Sequence, residues 1–196
     1  STGVIGKQLP MDIIGKGIKM LPGKLGATAA DAALAAEAIM TTDTKSKQVA
    51  VEVEIDGVPV HIGGMCKGSG MIHPNMATML CFITSDALID EKLLQKMVRA
   101  IVDDTFNMIS VDGDTSTNDS VLLIANGMAG NKKIDDENSA GYEAFYDALF
   151  YILCELSKKI AGDGEGATCL FEVQMKNVKT KADAKVLAKS VITSNL

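Results

Sequence analysis

Residues 49–62 read Val-Ala-Val-Glu-Val-Glu-Ile-Asp-Gly-Val-Pro-Val-His-Ile, and this stretch decides the fold. Valine and isoleucine alternate with other residues on both sides of the dipeptide Asp56-Gly57. Alternation with a period of two is typical of a half-buried strand, and Asp-Gly is a favoured two-residue turn between antiparallel strands. The sequence therefore predicts a β-hairpin that turns at Asp56-Gly57.

Helices and further strands are predicted on both sides of this hairpin. Apolar residues at helical spacing predict helices over 10–21, from Thr28 or Asp31 to 39, over 90–106, over 139–160 and from Ala182 onward. Short apolar runs predict strands over 78–84, 121–125 and 169–178. The resulting order ααβββαβαβα indicates an α/β (α+β) fold in which helices cover sheets as an α/β sandwich. No linker or repeat divides the chain, so 1–196 is predicted to be a single domain.

Composition allows a folded core and argues against nucleic-acid binding. With 196 residues, of which 47% are hydrophobic, the chain can bury a core of its own. The net charge is -6, the 19 basic residues form no stripe, and only 4% of residues are aromatic. A nucleic-acid surface needs a basic patch and stacking platforms, so nucleic-acid binding is not expected.

The cysteines and histidines suggest no metal site and no disulfide framework. Cys66, Cys81, Cys154 and Cys169 lie far apart without a C-x-x-C pair, and the chain has only two histidines. Cys81 and Cys154 fall in apolar runs and are predicted to be small core residues. No apolar run approaches the roughly 20 residues of a membrane-spanning helix, and no signal peptide is visible, so we expect no membrane partner and a cytoplasmic location.

A small residue followed by threonine at the head of an apolar run, Ala77-Thr78, has the composition that self-cleavage needs. The Thr78 hydroxyl can attack the preceding carbonyl and shift Ala77 onto oxygen as an ester, and hydrolysis then leaves Thr78 with a free α-amine. Such an amine has a pKa near 8, so it can serve as the base for its own hydroxyl nucleophile. The alternative is that Thr78 is an ordinary strand residue, because threonine favours strands.

Residues 67–80, Lys-Gly-Ser-Gly-Met-Ile-His-Pro-Asn-Met-Ala-Thr-Met-Leu, resemble the processing-site motif of the ornithine acetyltransferase family. These enzymes are the bifunctional glutamate N-acetyltransferases of arginine biosynthesis. Three further blocks resemble the family in the same order: 1–6, Ser-Thr-Gly-Val-Ile-Gly; 110–119, Ser-Val-Asp-Gly-Asp-Thr-Ser-Thr-Asn-Asp; and 162–168, Gly-Asp-Gly-Glu-Gly-Ala-Thr. Four ordered blocks spread over nearly the whole chain make the resemblance specific.

The resemblance implies a reaction and a fold. Thr78 is expected to take the acetyl group from N-acetylornithine as an ester and to pass it to glutamate, after cleavage between Ala77 and Thr78. The implied fold is a layered α-β-β-α sandwich with mixed sheets, of the self-cleaving Thr-nucleophile type. No cofactor is implied, although bifunctional members also use acetyl-CoA as a co-substrate. The cleaved α and β pieces are expected to assemble as a hetero-oligomer such as a tetramer.

The resemblance also implies roles for individual residues. Thr2 and Gly3 match the pair that forms the oxyanion hole, through a threonine side chain and a glycine N–H. Lys67 matches a lysine that contacts the substrate carboxylate, and Glu165 a glutamate that contacts its amino end. A further substrate-binding threonine matches Thr41 best, with Thr42 as the alternative; in the sequence alone this position reads equally well as a helix end.

Two features of these blocks admit other interpretations. Lys67 follows a Gly-rich stretch, but the order of residues is not that of a P-loop, so nucleotide binding is not predicted. The loop 112–119 has spaced oxygens like a cation loop but lacks the terminal Glu of an EF-hand, so we predict a hydrogen-bonded loop near the site and no metal. His73 is predicted to be a packing residue.

Comparison with the family predicts that the chain lacks N-terminal and C-terminal parts, so a fragment with little activity on its own is expected. Two rival functions are a self-cleaving aminopeptidase-like hydrolase and a catalytically silent module that only assembles with partners. The first normally uses serine where this chain has Thr78.

Overall fold

The computed structural model describes residues 6–72, 79–116 and 118–194, which form one mixed sheet with helices around it. The five helices are α1 (Met11–Met20), α2 (Ala29–Ala38), α3 (Glu91–Asp104), α4 (Tyr142–Ala161) and α5 (Lys181–Ile192). The four strands are β1 (Lys47–Ile55), β2 (Val58–Lys67), β3 (Leu80–Ser85) and β4 (Ser120–Ala125). Short 3-10 turns follow α1 at Leu21–Lys24 and α3 at Phe106–Met108.

The predicted hairpin is confirmed. β1 and β2 pair antiparallel from Lys47 opposite Cys66 to Ile55 opposite Val58, around the predicted turn. Asp56 and Gly57 both have positive φ angles, of 51° and 77°, as a hairpin turn with the favoured twist requires. β2 then pairs antiparallel with β3, and β3 pairs parallel with β4, so the strands lie in chain order.

One face of the sheet forms the core. Ile62, Cys81 and Ile83 point to this face and are each 1% exposed, and α4 packs across β1 and β2. From α4 the side chains of Leu149, Ile152, Leu153 and Leu156 complete the cluster. The prediction that Cys81 is a core residue is confirmed, whereas Cys154 is only half-buried.

The opposite face of the sheet is only partly covered. Leu122 and Ile124 of β4 remain 54% and 68% exposed on this side. The described residues form a single sheet, so the mixed α/β class is confirmed but the predicted two-sheet sandwich is not. None of the described helices is both long enough and apolar enough to cross a membrane.

Capping residues set where the helices begin. Thr28 and Asp31 form a reciprocal capping box, in which each side chain accepts a hydrogen bond from the other residue's backbone N–H, so α2 begins directly after Thr28. Asp90 accepts hydrogen bonds from the N–H groups of Lys92 and Leu93 and caps α3.

α3 ends at Asp104, two residues earlier than predicted, and α4 begins at Tyr142, three residues later than predicted.

The predicted strand over 169–178 is wrong. A strand exists only where its backbone groups pair with a neighbour, and among the described residues neither edge strand, β1 or β4, pairs with this segment. The apolar residues that suggested a strand are not buried against the sheet, since Phe171 is 66% exposed. Instead Glu172 forms an ion pair with Lys158 near the end of α4, at 3.3 Å.

Candidate functional site

Three strand ends meet at one end of the sheet. Lys67, the last residue of β2, pairs with Leu80, the first residue of β3. Leu80 in turn pairs with Ser120, the first residue of β4. The two resemblance blocks that contain Lys67 and Asp119 are therefore neighbours in space, although they are about fifty residues apart in the chain.

Several predicted site residues lie outside the described residues. These are the nucleophile and cleavage residues, the oxyanion-hole pair and the nearby histidine: Thr78, Ala77, Thr2, Gly3 and His73. Their roles remain predictions. Ile72 and Met79, the residues on either side of the segment 73–78, are described.

The loop 112–119 holds both ends of that segment. Asp112 accepts hydrogen bonds from the N–H groups of Met71 and Ile72, at 2.5 and 2.9 Å. Asp119 Oδ1 accepts one from the N–H of Met79 at 2.8 Å. The predicted hydrogen bonding of this loop is seen at Asp112 and Asp119, whereas its place beside a substrate site stays a prediction. Among the described residues, no group of three or more His, Cys, Asp or Glu side chains is arranged to hold a metal ion.

Lys67 is a buried cation close to Asp119. Its side chain is enclosed, with the residue only 6% exposed, yet its ammonium makes no ion pair within 4 Å among the described residues. Burial raises the pKa of Asp119 to about 6, while the N–H of Met79 and the charge of Lys67 act to lower it. Lys67 is thus enclosed without a tightly bound counter-ion in the part of the chain described.

Glu165 lies against the loop that follows Lys67. Its N–H donates to the carbonyl oxygen of Ser69 at 2.7 Å. Its carboxylate occupies the space beside Gly70, since a Cβ on that glycine would lie 2.7 Å from both Cδ and Oε1 of Glu165. Glycine at position 70 is therefore required for this close approach, and the structure brings Glu165 against the loop that follows Lys67.

Thr41 and Thr42 lie beside the same loop. The hydroxyl of Thr42 is 2.6 Å from the hydroxyl of Ser69. Thr41 contributes its N–H, which donates to Asp43 Oδ2 at 3.2 Å. Both threonines are exposed, so their position near the site leaves the predicted substrate contact open between them.

Sequence reasoning missed a buried cluster of charges under these loops. The ammonium of Lys47 donates to Asp43 Oδ1 at 2.7 Å and to Asp163 Oδ2 at 2.5 Å. Burial by itself raises the pKa of Asp163, but hydrogen bonds from Lys47 and Thr44 outweigh it and lower the pKa to about 2. The i, i+4 spacing of Asp43 and Lys47 was visible in the sequence, whereas nothing local connects either to Asp163.

A buried lysine at the end of β2, an exposed glutamate on the loop after α4 and two exposed threonines before β1 thus define a small polar site beside a mixed α/β sheet. The model of the ArgJ family matches residues 1–196, and the chain belongs to this family. The family membership predicted from the four sequence blocks is confirmed.

Curated relatives agree with this result. The chain is 56% identical over 196 residues to the arginine biosynthesis bifunctional protein ArgJ of Symbiobacterium thermophilum, and 53% identical to that of Oceanobacillus iheyensis. Each alignment covers 100% of this chain but only 48% and 47% of the relative. The chain therefore spans about half the length of the curated relatives that it matches.

A solved structure is similar as well. The crystal structure of the arginine biosynthesis bifunctional protein argJ from Bacillus halodurans superposes with a TM-score of 0.55 at 44% sequence identity. The superposition covers 56% of this chain and 51% of the other chain. The fold of the superposed part of this chain is therefore similar to part of that protein.

Proposed function

We propose that this chain contributes to an acetyltransferase that moves an acetyl group from N-acetylornithine to glutamate through an ester on Thr78. Two findings support this proposal. The chain belongs to the ArgJ family, whose relatives are named as bifunctional proteins of arginine biosynthesis. The loops that carry Lys67 and Glu165 also meet beside the described ends of the segment that contains Thr78.

The observation that carries the proposal is the enclosed Lys67. Both proposed substrates are α-amino-acid derivatives, so each has a carboxylate that a buried ammonium can bind by a charge-assisted hydrogen bond. Glu165, on the adjoining loop, is suited to the amino groups at the other end. One site can then hold the two substrates in turn, as a double-displacement reaction requires.

The proposed reaction begins with self-processing. The Thr78 hydroxyl attacks the carbonyl carbon of Ala77, the peptide C–N bond breaks, and water hydrolyses the resulting ester. Ala77 keeps a new carboxylate, and Thr78 keeps a free α-amine that can act as a base at neutral pH.

Acetyl transfer then takes two steps. Thr78 Oγ attacks the acetyl carbon of N-acetylornithine, and ornithine leaves with the proton that the hydroxyl loses. The amine of glutamate attacks the acetyl ester, N-acetylglutamate leaves, and a proton from that amine returns to Thr78 Oγ. Thr2 and Gly3 are proposed to stabilise the oxyanion in both steps.

The finer points of the sequence-based interpretation belong to the same proposal. Thr41 is proposed as a further substrate contact, acetyl-CoA as a second acetyl donor, and a cytoplasmic hetero-oligomer of cleaved pieces as the working form. The family match favours neither an aminopeptidase-like hydrolase nor a silent assembly module.

Mass spectrometry and an exchange assay test the proposal. We expect a break before Thr78 and acetyl exchange between N-acetylornithine and glutamate, measured with and without acetyl-CoA. The assay is run on the 196 residues alone, where we expect little turnover, and on the chain extended by the segments that its relatives carry beyond the matched region. An extended chain that is cleaved yet transfers no acetyl group from N-acetylornithine would contradict the proposal.

A further inference from the structure

A buried ammonium joins carboxylates from two distant parts of the chain. The side chains of Lys47, Asp43 and Asp163 are 1%, 0% and 7% exposed, and Lys47 also donates to the carbonyl oxygen of Lys45 at 3.2 Å. Apolar residues of similar size often stabilise a core at least as well as a buried ion pair does. Stability alone therefore does not account for this set of three charges, which we call the buried triad.

Each carboxylate of the buried triad also holds a loop of the candidate site. Asp43 Oδ1 accepts a hydrogen bond from the N–H of Gly68 at 2.6 Å, directly after Lys67. Asp163 lies two residues before Glu165, and its Oδ2 accepts a hydrogen bond from the N–H of Thr44 at 3.0 Å. Lys47 thus connects the loop of Lys67 to the loop of Glu165.

We propose that Lys47 is a positioning residue, which acts through Asp43 and Asp163 to set the separation of Lys67 and Glu165. This inference rests on the proposed function, in which those two groups bind opposite ends of an amino-acid substrate. A displacement of about 1 Å in a binding group can cost roughly a hundredfold in rate, so a rigid connection between the loops matters for catalysis. Its ammonium is enclosed by the two carboxylates, so its proposed role is to position the loops and not to bind substrate.

The first test replaces Lys47 with methionine, which keeps the length of the side chain and removes its charge. The variant is made in the extended chain defined above. There Lys47→Met should raise the hydrogen-exchange rate of the Gly68 and Thr44 amides by about tenfold or more. It should also raise KM for both amino-acid substrates together. Lys45→Met is the matched control, since that side chain is exposed two residues away and only its backbone meets the buried triad. Folded Lys47→Met with unchanged exchange and unchanged KM would overturn the proposal.

The pH dependence of stability shows whether Lys47 acts through its charge or only through the packing of its side chain. Asp43 and Asp163 both have lowered pKa values, because hydrogen bonds and the charge of Lys47 outweigh the effect of burial. Among the described residues, Lys47, Asp43 and Lys159 also act on the thiol of Cys66, whose pKa burial raises to about 12. Carboxylates with lowered pKa values stabilise the fold above about pH 4, and this contribution is lost as the pH falls through the folded pKa. The loss of Tm in Lys47→Met should therefore be largest near pH 7 and should shrink below about pH 4. A loss independent of pH would contradict the proposed role of the charges.

A milder variant covers the case in which Lys47→Met does not fold. Thr44 is exposed and its hydroxyl donates to Asp163 Oδ1, so Thr44→Val weakens one arm of the buried triad without leaving a buried charge unpaired. We expect severalfold faster hydrogen exchange at the Thr44 and Lys45 amides and a severalfold rise in KM. Thr84→Val is the control, because Thr84 lies at an exposed strand position. No change in either would overturn the proposal. If the unaltered extended chain shows no acetyl exchange, the proposed function fails, and amide exchange still decides whether Lys47 holds the two loops.

Discussion

The carboxylate of Asp119 accepts a hydrogen bond from the backbone N–H of Met79 at 2.8 Å, one residue after the proposed nucleophile. Seven residues earlier in the same loop, Asp112 accepts the N–H of Ile72 at 2.9 Å, on the other side of the segment 73–78. One loop therefore anchors the chain before and after Thr78. Any change to this loop is expected to affect processing as well as transfer.

Thr78 supplies the hydroxyl that the proposed mechanism needs in both cleavage and transfer. Thr78→Ala should abolish both, whereas Thr78→Ser should retain part of each because serine keeps the hydroxyl. Mass spectrometry detects cleavage, and the acetyl-exchange assay measures transfer. Thr84→Ala, on an exposed position of β3, is the control. Cleavage of Thr78→Ala at the same bond would show that another group attacks.

Lys67 is proposed to bind the carboxylate of each substrate. Lys67→Met should raise KM for N-acetylornithine and for glutamate by about tenfold to a hundredfold, the range expected for loss of a hydrogen bond to a charged group. Self-cleavage should continue, because it involves no free carboxylate. Lys132→Met, at an exposed position, is the control. The assignment of Lys67 to binding fails if cleavage stops while both KM values stay the same.

Glu165 is proposed to contact the amino end of the substrate. Glu165→Gln keeps the shape of the side chain and removes its charge, so acetyl transfer should fall by about tenfold or more while self-cleavage proceeds. Glu54→Gln, on the exposed side of β1, should leave both unchanged. Equal loss of cleavage and transfer would assign Glu165 to folding or processing instead.

Gly70 allows the close approach of the Glu165 carboxylate. In Gly70→Ala the added Cβ would meet Glu165 Cδ at 2.7 Å, so the end of this flexible side chain must move. We expect reduced transfer with a change in Tm of only a few degrees, because an exposed side chain can move cheaply. Gly63→Ala is the control, since a Cβ there meets nothing within 4 Å. Unchanged transfer kinetics in Gly70→Ala would argue against a fixed position for Glu165.

Asp119 should make stability depend on pH. Burial raises its pKa to about 6, above the ordinary 3.8, so between these values the folded protein binds a proton that the unfolded chain has released. The free energy of unfolding should therefore fall as the pH rises from about 4 to 6. Because the carboxyl is only half-buried and solvent screens part of the effect, we expect roughly 1 to 2 kcal/mol from this group, less than the full shift implies.

Thermal unfolding across this pH range measures the effect. Asp119→Asn keeps an oxygen to accept from Met79 N–H and removes the titration, so its Tm should depend less on pH between about 4 and 6. Asp114→Asn, exposed in the same loop, should follow the unaltered protein. Identical pH profiles for Asp119→Asn and the unaltered protein would show that Asp119 does not titrate in this range.

Local patterns in the sequence determined the hairpin, the helices and the family. Strict alternation around Asp56-Gly57 is sufficient for a hairpin because the turn and both strands lie within one continuous stretch, residues 47–67. Thr28 and Asp31 mark the start of α2 for the same reason, since a capping box satisfies backbone groups within one turn. The four motif blocks likewise needed no contact between distant residues to be recognised.

Only the tertiary structure decided which charges meet and which segments pair. The ammonium of Lys47 binds the carboxylate of Asp163, which lies 116 positions away in the sequence. Both side chains are buried, and their burial results from the packing of distant segments around the sheet and α4. The segment 169–178 has the apolar residues of a strand. No described strand pairs with it, and a strand requires a hydrogen-bonded neighbour. Local pattern thus sets what each segment can form, while packing between distant segments decides whether its hydrogen bonds and charges find partners.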